Sequence, residues 1–247
     1  MKIRFLGTNG WYDSQTGRTI CTLIETKNEY IILDAGFGLQ YAKKYIKTSK
    51  PIYLFISHAH IDHICGLHGL CGLHAKQGLT IICSQSVKNS LAKIITEPYT
   101  ISFKKLGFPI KFKIIKAGKY NQPFKFEVNT LKHISPTLGI RLALENKAIT
   151  YCCDTARCQN DIDLAKNSDV LIHESSFAPT VEDFAWGHTC PDGAAKIAKA
   201  AKVKKLILTH FDAGSYFTND QFDKAKKAAK KIFPNTILAR DGMIINA

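Results

Sequence analysis

Within the six residues His58-Ala59-His60-Ile61-Asp62-His63 stand four side chains of metal-ligand type, directly after the run Ile52-Tyr53-Leu54-Phe55-Ile56-Ser57. That run is continuously apolar rather than alternating, which predicts a strand buried on both faces. The fold must therefore bring three imidazoles and a carboxylate to the point where a buried strand leaves its sheet. Strand alternation would send His58, His60 and Asp62 to one side, and a turn would bring His63 round beside them. Imidazole nitrogen and carboxylate oxygen suit zinc. Nine histidines in the whole chain make three in six positions a poor chance cluster.

A centre needs more ligands than one loop supplies, and the ends of other predicted strands offer them. His133 closes the run Phe124–His133, Asp154 follows Ala148–Cys153, and His210 closes Leu206–His210. With the first cluster these make seven candidates, enough for two metals sharing one carboxylate. The surrounding pattern is β-rich. Strands are predicted over Met1–Gly7, Thr19–Thr26, Glu29–Ala35, Leu79–Ser84, Lys111–Ala117, Leu138–Glu145, Val170–Glu174 and Thr236–Ile245. Helices are predicted over Gly38–Thr48, Ser86–Ile95, Asp161–Lys166, Asp192–Lys202 (capped by Asp192) and Asn219–Phe233, and Ile64–Gln77 reads as helix or helical loop. The runs near 19–35 and 124–153 read as antiparallel hairpins. This order fits an α/β (α+β) fold of two packed sheets with helices outside, as a single domain over 1–247.

The 247 residues can bury a sizeable core without disulfides. No apolar run reaches the ~18 residues of a membrane span, so no membrane partner is expected. Met1–Gly7 contains no signal-like apolar region. The eight cysteines then read as reduced thiols of a cytoplasmic protein, and no C-x-x-C pair occurs. Lys and Arg number 34 against 20 Asp and Glu, a net charge of +14 that favours anionic partners. The basic face Lys224, Lys226, Lys227, Lys230 and Lys231 could follow an RNA backbone or simply be solvated.

With these residues in view, the chain resembles the metallo-β-lactamase superfamily over nearly its whole length, and within it the ribonuclease Z branch. The pattern His58-x-His60-x-Asp62-His63 carries the resemblance, with His133, Asp154 and His210 downstream. Supporting segments are His133-Ile134-Ser135-Pro136-Thr137, Cys153-Asp154-Thr155-Ala156, His173-Glu174-Ser175-Ser176-Phe177, Gly187-His188-Thr189 and Leu206-Ile207-Leu208-Thr209-His210. His at position 60 is unlike the diiron oxygen-reductase branch.

The resemblance implies a four-layer αβ/βα sandwich, two mixed β-sheets flanked by helices, with two Zn²⁺ at one edge (Mn²⁺ or Fe²⁺ being alternatives). His58, His60 and His133 would hold one ion, Asp62, His63 and His210 the other, and Asp154 would bridge them. Asp62, Glu174 and His188 would be the catalytic groups, and Asp34 would orient a ligand histidine. The implied activity is hydrolysis of a small or short phosphodiester, cyclic nucleotide-like or an RNA end. The alternatives are tRNA 3′-end endonuclease action and lactone, aryl-sulfate or ester hydrolysis. A homodimer is common in that branch. Two departures stand out: only 20 residues separate His133 from Asp154, where tRNA-processing members carry a protruding arm, and the run His210–Tyr216 contains no Arg.

Overall fold

Neighbouring residues along the central strands face different cores. In the computed structural model, which describes residues 1–181 and 185–247, Ile24, Ile31, Phe55, Ile82, Ile172 and Ile207 point into a core between two sheets. Their neighbours Leu23, Ile32, Leu54 and Ile81 pack outward against Leu39, Leu67, Leu70, Val87 and Leu91. On the other side Leu171 and Leu208 pack against Leu164, Ala194, Ile197, Phe222, Ala225 and Ala229. A strand buried on both faces needs an apolar residue at each position, and that is the physical reason for the continuous runs.

Each sheet has seven strands. The first runs in the order Ile244–Asn246, Lys2–Gly7, Cys21–Glu25, Tyr30–Leu33, Ile52–Phe55, Leu79–Cys83, Ile110–Ile114. Its first three pairings are antiparallel and its last three parallel. The second runs Thr236–Leu238, Leu206–Thr209, Val170–Glu174, Lys147–Cys152, Thr137–Leu144, Lys125–Leu131, Gly118–Tyr120. Here three parallel pairings come first and three antiparallel ones follow. The helices lie outside, so the four-layer arrangement of two mixed sheets is the observed one. A short parallel pair, Asn9–Gly10 with Phe211–Asp212, ties the two halves together. No helix of the described residues is long and apolar enough to cross a membrane.

Three expectations change. Thr236–Ile245 is not one strand: Thr236–Leu238 joins the second sheet and Ile244–Asn246 the first. The chain crosses between them at Arg240-Asp241-Gly242, where Gly242 has φ +83°. The helix expected over 38–48 is 3₁₀ over Phe37–Lys44, and the helix or helical loop expected over 64–77 is 3₁₀ over Cys65–Leu73 after one α turn at Ile61–Ile64. Gly38, Gly66, Gly69 and Gly72 weaken α propensity there, and a Cβ on Gly66 would lie 2.1 Å from the Gly36 carbonyl. Asp192 is not the cap of its helix: Cys190 is, with Pro191 in the first turn, while the Asp192 carboxylate accepts the Thr180 N–H at 2.7 Å.

Candidate metal centre

The parallel strands deliver their C-terminal ends to one edge, where ligand sites of α/β sheets form. His58 and His60 lie in the loop after Ile52–Phe55. Asp62 and His63 follow on the helical turn Ile61–Ile64, so a helical turn and not strand alternation presents them. Asp154 follows Lys147–Cys152, Glu174 ends Val170–Glu174, and His210 follows Leu206–Thr209. His133 lies two residues beyond Lys125–Leu131 rather than at its end.

All seven candidates converge. The Oδ2 atom of Asp154 faces His58 Nε2 at 3.5 Å and His133 Nε2 at 3.7 Å. Its Oδ1 faces His63 Nε2 at 3.2 Å and His210 Nε2 at 3.1 Å. One carboxylate thus separates two sets. In the first, His60 Nδ1 lies 3.2 Å from His133 Nε2, and the potential ligand atoms of His58, His60, His133 and Asp154 all fall within 4.8 Å of one another. In the second, His63 Nε2 and His210 Nε2 are 3.1 Å apart, and Asp62 Oδ2 is 3.2 Å from His210 Nε2.

The donor set fits cations. His58 Nε2 is buried with no hydrogen-bond partner, an arrangement that costs free energy unless a further group satisfies it. Burial and the neighbouring His63 hold the His58 pKa well below its usual value, which keeps a lone pair free. Burial opposes ionisation of Asp154, but His210, His63 and His58 outweigh it and hold its carboxyl well below the ordinary range. Imidazole and carboxylate ligands of this kind suit Zn²⁺, and also Mn²⁺ or Fe²⁺.

The remaining ring nitrogens are fixed from behind, which sets tautomer and orientation. His63 Nδ1 donates to Asp34 Oδ2 at 2.8 Å, and Asp34 also accepts from Ser57 N, Ser57 Oγ and Tyr151 Oη. Asp34 is thus a positioning residue, as its motif implies. Asp34→Asn should weaken metal binding on the order of 10–100-fold, read by competition with a chelator; unchanged affinity would show that His63 needs no such support. His133 Nδ1 donates to the Gly187 carbonyl at 3.0 Å. Gly187 has φ +74°, and a Cβ there would stand 2.6 Å from His133 Cα. Trp11, Asp34, Asp154 and His210 also have φ between 54° and 72°, backbone strain of the sort that gathers at functional sites.

Glu174 is buried and accepts four bonds: Thr155 N at 2.7 Å, His188 Nδ1 at 2.9 Å, Thr189 N at 3.1 Å and Ser176 N at 3.2 Å. Burial would lower the His188 pKa, but the Glu174 carboxylate raises it to about 9. His173 is buried against Glu174's own carbonyl and His68 and His74 lie away from the centre, as expected of structural histidines. All eight cysteines are free. Cys153 turns toward the centre, its thiol 3.4 Å from Asp154 Oδ1, while Cys152 packs into the outer core.

Residues the motifs did not single out complete the site. Ser176 Oγ lies 2.9 Å from His210 Nδ1. A cleft of about 770 Å³ opens on the centre, walled by Trp11, Ile61, Ile134, Phe177 and Trp186 beside the polar groups. Five separate segments meet there, and no local pattern marks their meeting.

The family model for a beta-lactamase superfamily domain matches residues 29–211. A ribonuclease Z of Crocosphaera subtropica is 30% identical over 306 positions, covering 98% of this chain and 97% of that protein. In structure, the metallo-beta-lactamase fold protein YhfI of Bacillus subtilis aligns with TM-score 0.83 at 22% identity, over 100% and 98% of the two chains. The short form of human tRNase Z aligns with TM-score 0.76 at 24% identity, over 100% and 99%. At these identities the structures speak for the fold alone. The chain belongs to the metallo-β-lactamase superfamily. Within it, its place is the ribonuclease Z-like branch, and it is a metal-dependent hydrolase.

Proposed function

We propose that the protein is a dinuclear zinc phosphodiesterase acting on a small or short phosphodiester, nucleotide-like or an RNA end. The observation that carries this reading is Asp154, whose two oxygens face two separate ligand sets. His58, His60 and His133 would hold one ion and Asp62, His63 and His210 the second, with Asp154 shared. Two zinc ions so held would lower the pKa of water and neutralise charge on a phosphoryl oxygen.

The chain's own groups supply the rest. The Asp62 carboxylate, anchored by the Trp11 N–H at 2.9 Å, would orient the attacking water or take its proton. His188 lines the cleft with Nδ1 committed to Glu174. Its Nε2 is then the atom that donates to the leaving oxygen. Glu174 holds the imidazolium in place.

A second reading, tRNA 3′-end endonuclease action, is favoured by the curated relatives, which are named ribonuclease Z. Against it stands the segment between His133 and Asp154. It forms the strands Thr137–Leu144 and Lys147–Cys152 joined by Glu145-Asn146, with no room for a protruding arm. The 306-position alignment against 247 residues likewise leaves the relative with residues this chain lacks. The experiment sets bis(p-nitrophenyl) phosphate against a tRNA precursor with a 3′ trailer, using zinc- or manganese-loaded protein. Turnover of the small diester without clean trailer removal is expected. Cleavage directly after the tRNA discriminator base would establish the second reading and turn attention to the exposed lysines of Asn219–Ile232. Turnover of carboxyl or sulfate esters alone would overturn both.

A further inference from the structure

We propose that Trp11 and Trp186 form an aromatic platform that recognises a planar ring attached to the scissile phosphodiester, a nucleobase or an aryl group. This rests on the phosphodiesterase reading and names the substrate class for that site.

The cleft's chemistry is lopsided. Among the described residues no lysine or arginine lines it, despite the chain's net charge of +14. Its charged or ionisable lining groups are Asp62, Asp154, Asp212, His60, His188 and His210. Asp212 is already committed, accepting from Gly214 N and Ser215 Oγ. The phosphate can therefore be gripped only at the centre itself. Anything further along the substrate meets apolar surface.

That surface is exposed where apolar side chains ordinarily hide. Trp11 is 69% exposed, Ile61 67%, Ile134 56% and Trp186 54%. Each is tied to a group of the centre. Trp11 donates its backbone N–H to Asp62, Ile61 stands between His60 and Asp62, Ile134 follows His133, and Trp186 lies two residues before His188. Both indoles line the cleft that also holds His60, Asp62, Asp154, His188 and His210.

Trp11 makes the strongest case. It holds φ +72°, a conformation unfavourable for a bulky side chain. The Asn9–Gly10 pairing with Phe211–Asp212 and the bond to Asp62 hold it there. A Cβ on Gly10 would fall 2.4 Å from the His210 ring, so this strand runs against the centre as closely as backbone can. The result is an indole carried to the lip of the site and left open. Stacking of bases on aromatic side chains tolerates any base and needs no charge.

The chain has two tryptophans, and both line this cleft. Emission excited selectively at tryptophan, and not at the nine tyrosines, therefore reports on the cleft. In the zinc-loaded protein, adenosine 5′-monophosphate is expected to quench that emission and to compete with bis(p-nitrophenyl) phosphate. Ribose 5-phosphate, with the same phosphate and no ring, should compete about tenfold or more weakly. Phenyl phosphate separates the two sources: competition near that of the nucleotide assigns the platform to aryl groups in general, and clearly weaker competition assigns it to nucleobases. Trp11→Leu and Trp186→Leu should each bring the nucleotide and sugar phosphate closer together in affinity. Equal affinity of the two in the native protein, or a ratio both variants leave intact, overturns the platform. Diester turnover with equal affinities would sink the platform alone. A quench without any phosphodiester turnover would instead sink the reading of the reaction.

Discussion

Asp154→Ala is expected to leave the protein folded but unable to hold its metals, with turnover reduced on the order of 10³-fold or more. Four imidazole nitrogens, from His58, His133, His63 and His210, stand 3.1–3.7 Å from its two oxygens. In the proposed arrangement, losing any single histidine removes a ligand from one set, whereas losing this carboxylate removes the group common to both. The readouts are metal per chain and the response of Tm to added zinc. Binding to the native state stabilises it by RT ln(1 + [L]/Kd), so the native protein's Tm should climb with zinc, and the variant's should stay nearly flat. Retention of two metals per chain with a zinc-dependent Tm would show that Asp154 bridges nothing. Circular dichroism separates this outcome from misfolding, because among the described residues the Asp154 carboxylate accepts no bond from the backbone of a strand.

What could be seen in advance, and what could not, divides along locality. His58, His60, Asp62 and His63 lie in one segment, so their convergence is nearly guaranteed by chain connectivity. Asp154 and His210 were legible for a different reason: each is polar and comes within two residues of the end of a largely apolar strand, and parallel strands bring their ends to one edge. The hairpin of 137–152 was visible as two β-type runs around a tight turn, although the turn expected at Asn146-Lys147 falls one residue earlier, at Glu145-Asn146. The split of 236–245 was not. All of it is β-type sequence, and nothing in side-chain period says to which sheet a strand belongs, although Asp241-Gly242 marks a turn. The 3₁₀ segments reflect close backbone approaches at glycines such as Gly66, which are tertiary facts. Trp11, Ile134, Phe177 and Trp186 come from four distant segments, so only the assembled fold could reveal them as one wall. Ile134 and Phe177 lie inside the quoted segments without being marked there as a wall, and Trp11 and Trp186 stood out only by rarity, two tryptophans in 247 residues.

His188→Ala is expected to lower turnover in a way that depends on the leaving group. His188 and Glu174 could serve only to tie loops together, and the hydrogen bonds allow the two roles to be separated. Glu174 holds the loops through the backbone N–H groups of Thr155, Ser176 and Thr189, none of which involves the imidazole. Removing His188 therefore spares that framework, and metal content and Tm should change little. The proton donor, however, is gone. An RNA or dinucleoside substrate expels a sugar alkoxide, which must be protonated as it leaves, so kcat should fall on the order of 10²–10⁴-fold. Bis(p-nitrophenyl) phosphate expels a stable phenolate that needs no proton, and its kcat should fall by less than about tenfold. A loss of equal size on both substrates would mean that His188 binds or positions the phosphate without donating to it. A loss of metal or a collapse of Tm would mean that the pair is architectural. Glu174→Gln completes the comparison. It keeps the shape but leaves one acceptor oxygen where two now serve, Oε1 for Thr155 N and His188 Nδ1 and Oε2 for Ser176 N and Thr189 N, so it should lower Tm by loosening those loops as well as weaken the hold on the imidazolium.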